Sequence, residues 1–97
     1  MAKEQVFADI KSHVAQCGGR FSSWYAGIAA DPRDRLFNGH CVSEKSDAWI
    51  YRTCNSDKNA RTVENALLRM GMKGGPCGGD GDTKFVYAYK IAPHTVE

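Results

Sequence analysis

No stretch of this sequence approaches the run of ~20 apolar residues that a membrane-spanning helix needs. The N-terminus, Met1-Ala2-Lys3-Glu4-Gln5, has neither the apolar core nor the small-residue cleavage site of a signal peptide. The expected setting is therefore cytoplasmic, with no membrane partner. There is no Cys-x-x-Cys pair, and Cys17, Cys41, Cys54 and Cys77 stand far apart. Free thiols are the expectation in that compartment. A zinc site would need Cys17, His40, Cys41 and Cys77 to converge without the local spacing that marks zinc motifs. The glycines crowded between Gly71 and Asp82 are not followed by Gly-Lys-Ser or Gly-Lys-Thr and a helix, which excludes a nucleotide-binding P-loop. No serine has the strand-to-helix elbow of a hydrolase. His40 and Cys41 are only neighbours in sequence, which is not the spatial pairing a thiol enzyme needs. Charge of one sign is also scarce: the net charge is +2, so composition alone demands no nucleic-acid partner.

What remains is an ordinary globular composition in a chain of 97 residues, with charged side chains making up 25%. That length fits one domain with its own core. The single domain 1–97 divides into an N-terminal helix over 3–16, a central core over 21–70, a Gly-rich loop over 71–82 and a final strand over 84–91. In the first helix Val6, Phe7, Ile10 and Val14 recur at helical spacing and make one apolar stripe. Gly18-Gly19 ends it. Phe21 to Ile28 reads as a strand, with Trp24 and Tyr25 on opposite faces. Asp31-Pro32 is an N-cap followed by proline at the first helical position, and it predicts a short helix to Asn38 that Gly39 stops. Leu36 and Phe37 are its buried anchors.

Ser43 to Asp47 is polar and exposed by this reading. Ala48 to Cys54, with Trp49, Ile50 and Tyr51, is a second strand. Asn55-Ser56-Asp57 offers N-cap residues for a helix from Asp57 to Met70, whose apolar face is Ala60, Val63, Leu67 and Met70. Gly71 to Asp82 is too rich in glycine for a helix or a packed strand and reads as a loop, in which Asp80 and Asp82 could hold a hard metal ion. Lys84 to Ile91 alternates Phe85, Tyr87 and Tyr89 against Val86, Ala88 and Lys90, which predicts the last strand. The fold class expected is α+β: a small three-stranded sheet, open to a mixture of strand directions, flanked by about three helices.

On these residues the chain resembles the GIY-YIG nuclease superfamily over Trp24 to Leu68. Tyr25-Ala26-Gly27 is similar to the second half of the motif that names the family. Arg35-Leu36 on the short helix, His40 after it, the strand Trp49 to Cys54 and the helix Ala60 to Leu68 follow in the family's order. The resemblance implies that Glu64 binds a divalent ion, Mg²⁺ or Mn²⁺, that Arg35 contacts the scissile phosphate, and that Tyr25 positions the attacking water. Arg33, Arg35 and Arg61 would then face DNA or RNA. The first half-motif, Gly-Ile-Tyr on a strand of its own, is not found. The last strand could take its place in a permuted sheet and supply the base from Tyr87 or Tyr89. The alternative is a non-catalytic α+β module that binds nucleic acid or a protein with the same basic and aromatic surface.

Overall fold

The computed structural model describes residues 2–18, 20–74 and 83–96. Most of the predicted Gly-rich loop, with Cys77, Asp80 and Asp82, lies outside them. Helix α1, Lys3–Gln16, buries Val6, Ile10 and Val14, the stripe its spacing announces. Strand β1 is Trp24–Ala29, β2 is Trp49–Thr53 and β3 is Phe85–Lys90. Helix α3, Asp57–Arg69, starts on Ser56, whose hydroxyl accepts from the Asn59 N–H, and buries Ala60, Val63, Glu64 and Leu67.

The sheet has the order β1-β3-β2, and both pairings are antiparallel. The openness to mixed directions is thus resolved: β3, last in sequence, is the central strand. Its outer neighbours are joined by chain long enough to carry a helix layer, so β3 can enter between them without a crossing connection. Tyr25 pairs with Tyr89, Gly27 with Tyr87 and Trp49 with Tyr89 along this register. The outer edge of β1 is capped in turn by Lys73, whose N–H and C=O bond Trp24 and Ala26.

Strand alternation sorts the sheet into two faces. Trp24, Ala26, Ile28, Ile50, Val86 and Ala88 meet the stripes of α1 and α3. Tyr25, Ala29, Tyr87 and Tyr89 face the other way, against Leu36 and Val42.

Two local expectations are corrected. Phe21–Ser23 is a 3-10 turn rather than strand, closed by Ser23 N–H on the Arg20 carbonyl, and pairing starts at Trp24 because its partner β3 ends opposite it at Lys90. The short helix does not run regularly from Asp31. Helix α2 covers Pro32–Asp34, capped by Asp31, and then widens into a π-helical turn over Arg35–Gly39. Gly39 lies inside this turn. The chain reverses instead at Cys41, the one described non-glycine residue with positive φ, 59°.

Gly27 is the position where the sheet tolerates no side chain. A Cβ there would lie 2.5 Å from the Tyr87 hydroxyl oxygen and 2.6 Å from its ring carbon Cζ. A Cβ at Gly39 would meet nothing closer than 4.0 Å. Gly27→Ala should therefore cost about 1–3 kcal/mol in urea denaturation, while Gly39→Ala should stay within about 0.5 kcal/mol. Equal tolerance at the two positions would contradict the close packing of Tyr87 over β1.

Candidate active site

The tyrosine side of the sheet carries a closed polar cluster. Tyr87 and Tyr89 are two residues apart on β3 and so share its face, and Tyr25 stacks on Tyr89 from β1 at 5.3 Å between ring centroids. His40 drops into this group at the end of the π-helical turn, whose closing bond runs from the His40 N–H to the Arg35 carbonyl at 2.8 Å. An α-turn would have closed one residue earlier. Leu36 and His40, four positions apart, are both buried on the inward side of this turn. The imidazole packs 4.8 Å from the Tyr25 ring and within hydrogen-bonding reach of both β3 tyrosines.

The hydrogen bonds fix the tautomer by elimination. His40 Nδ1 lies 2.6 Å from the Val96 carbonyl oxygen, which can only accept, so Nδ1 carries the proton. In the neutral ring Nε2 is then an acceptor, and it lies 2.8 Å from the Tyr87 hydroxyl. Tyr87 therefore donates its phenolic proton to His40. The Tyr89 hydroxyl donates to the same Val96 carbonyl and lies 3.2 Å from Nδ1. The C-terminal segment is itself held down. The Val96 N–H donates to the His40 carbonyl, Thr95 closes a turn on Ala92, and His94 reaches Asp47 at 2.5 Å. Burial pushes the Asp47 carboxyl up, but the Ser43 N–H and His94 outweigh it and hold the group below its usual range.

Of the residues singled out from sequence, the structure brings Tyr25, Tyr87 and Tyr89 together. Arg35 opens the π-helical turn on the same side of the sheet, exposed, and Arg33 is close by on α2. Glu64 and Arg61 lie on α3, which packs against the opposite face. From the sequence, His40 is only a histidine near the motif. Its role here depends on Val96, 56 positions away, and no local signal carries that.

Glu64 is 6% exposed, and its Oε2 atom has no hydrogen-bond partner among the described residues. Burial pushes its carboxyl above the usual range, against the pull of Arg61. A buried carboxylate oxygen left without a donor is costly unless a cation or a proton satisfies it. A sealed oxygen leaves no room for an ion that keeps its waters, so a proton on the carboxyl is what satisfies it. Among the described residues no group of three or more His, Cys, Asp or Glu side chains converges as a fuller metal site, and no helix is long and apolar enough to cross a membrane. No protein-family model, curated protein or solved structure matches this chain.

Because the folded state raises the Glu64 pKa, it binds that proton more tightly than the unfolded chain does. Stability linked to the group is complete below the unfolded value of about 4.3 and is lost as pH rises through the folded value. Glu64→Gln removes this dependence. Relative to Glu64→Gln, the wild type should lose stability between pH 4.5 and neutrality, measured as the difference in urea midpoints. A constant difference across that range would contradict the burial of an unpartnered carboxylate.

Proposed function

We propose that this chain is a phosphodiesterase of GIY-YIG type, acting on DNA or RNA, in which the last strand stands in for the missing half-motif. The observation that carries the reading is Tyr87: it sits on the central strand directly opposite Gly27 of the Tyr25-Ala26-Gly27 motif, with its hydroxyl 2.8 Å from His40 Nε2.

The residues then divide the work as follows. Tyr87 is 1% exposed, so the step requires the cluster to open onto the substrate; a water attacking phosphorus then gives its proton to the Tyr87 oxygen, while Tyr87 passes its own proton to His40 Nε2. The nucleophile is deprotonated, the tyrosine ends neutral and the imidazole ends protonated. Nδ1–H stays on the Val96 carbonyl throughout, which keeps the ring from turning. Tyr25 stacks on Tyr89 and against His40, and holds both rings in place. Arg35 places a planar, permanently charged fork on the phosphate oxygens, where charge grows as the bond to the leaving oxygen breaks. Glu64 lies in the helix layer across the sheet, so a Mg²⁺ or Mn²⁺ ion on it would not reach this phosphate, and the metal-binding role expected of Glu64 has no part in this step.

A second reading follows from one placement. Glu64 belongs to the helix layer across the sheet from Tyr25 and His40. A chain that keeps the tyrosine cluster as a packed polar core and binds nucleic acid without cutting it accounts for that separation.

The two are separated by a cleavage assay on single- and double-stranded DNA and RNA with Mg²⁺ or Mn²⁺. In the nuclease reading the wild type cuts, and Tyr87→Phe, His40→Ala and Arg35→Ala each lose about 100-fold or more in rate, while Glu64→Ala, across the sheet, does not. Cutting that survives in Tyr87→Phe would remove Tyr87 from the mechanism. A folded wild type that cuts nothing would leave the binding module.

A further inference from the structure

Four aromatic side chains on the tyrosine side remain outside the cluster just described. Phe37, Trp49, Tyr51 and Phe85 are all half-buried and form a continuous row. Phe37 meets Trp49 edge-on at 5.1 Å, Trp49 lies nearly parallel to Tyr51 at 6.0 Å, and Tyr51 meets Phe85 at 6.1 Å. Core aromatics would be sealed, as Trp24 is at 0% exposure. These keep part of their surface open along the sheet edge that β2 forms. Arg33 lies over the Phe37 ring at 5.1 Å and pairs with Glu44, so a guanidinium borders the row.

The edge beside the row is equally specific. Ala48 and Cys54 bond to β3, so the backbone groups of Trp49, Tyr51 and Thr53 point outward. The Tyr51 carbonyl is already taken by Arg52 Nη1 at 2.8 Å. At Tyr51 the N–H is therefore left as a donor while its own carbonyl, one of the acceptors an incoming strand would use, is covered. That arrangement disfavours strand addition by a peptide and favours a ligand rich in acceptors. A cleft of about 360 Å³ opens here, lined by His13, Trp49, Ile50, Tyr51 and Arg52. The Arg52 side chain is bonded to Asp9 through Nε and remains 41% exposed.

We propose that the Phe37–Trp49–Tyr51–Phe85 row is a stacking platform for single-stranded nucleic acid, with the adjoining cleft taking one nucleotide between the aromatic rings and Arg52. Unpaired bases have free π-faces to lay on such rings, and phosphates are acceptors for Arg52 and the Tyr51 N–H. Bases in a duplex are already stacked on each other and cannot use the row. This names the substrate class of the site proposed above and rests on nucleic acid being the ligand. It does not need cleavage.

The test is fluorescence anisotropy of labelled oligo(dT), oligo(U) and a matched duplex, in EDTA so that no cutting intervenes. Single strands should bind more tightly than duplex, and the preference between dT and U says whether DNA or RNA is the ligand. Trp49→Ala, Tyr51→Ala and Arg52→Glu should each weaken binding about tenfold or more, while Trp49→Phe should retain it. Trp24 is sealed, so quenching of wild-type emission should come from Trp49. Absence of binding to any oligonucleotide, equal affinity for duplex, or affinity unchanged in Tyr51→Ala and Arg52→Glu would overturn the proposal. Single-strand binding in a protein that cuts nothing with metal would count against the nuclease reading alone.

Discussion

One close approach organises the tyrosine side of the fold: the Tyr87 ring lies over the bare backbone of Gly27 with its hydroxyl on His40 Nε2. Gly27 has no Cβ, so a bulky phenol on the next strand can occupy the space above it. The phenol then reaches the imidazole that the π-helical turn delivers. The imidazole is oriented because a backbone carbonyl, which cannot donate, sits on its far side. Three segments remote in sequence meet at this point, and the polar groups satisfy one another in a buried setting where loose ends would be expensive.

That constraint explains why the sheet is arranged as it is. With β3 in the centre, its aromatic face looks at β1 through Tyr25 and Gly27 and at β2 through Trp49 and Tyr51. The β1 side is closed and hydrogen-bonded, which suits proton transfer. The β2 side stays half-open, which suits contact with a ligand. The opposite face is ordinary apolar packing on two helices, interrupted by Glu64. A carboxylate oxygen buried there without a donor is a local conflict of the kind that functional sites carry.

Much of this was legible in the sequence, because the signals involved are local. The 3.6-residue stripe of α1, the Ser56 cap of α3, the alternation of β3 and the Asp31-Pro32 helix start each depend on neighbours a few positions apart. The opposite facing of Trp24 and Tyr25 followed from strand alternation alone. What could not be read depends on partners far along the chain. Nothing local says that the last strand sits in the middle, that the turn after Asp34 widens to admit His40, or that Val96 returns to hold it. The burial of Glu64 is equally out of local reach, since burial of a helix flank is decided by what packs on it. Arg33 and Arg61 looked alike as basic residues, yet the fold puts them on opposite sides of the sheet.

The most direct measurement is the protonation pattern of the His40 ring, read from long-range ¹⁵N–¹H correlation spectra at a pH where the imidazole is neutral. One tautomer is expected, with the proton on Nδ1 facing Val96 and a bare Nε2 accepting from Tyr87, together with a changed Nε2 shift in Tyr87→Phe. A proton resident on Nε2, or a rapidly exchanging mixture of both forms, would contradict it, because Tyr87 would then have no base to receive its proton.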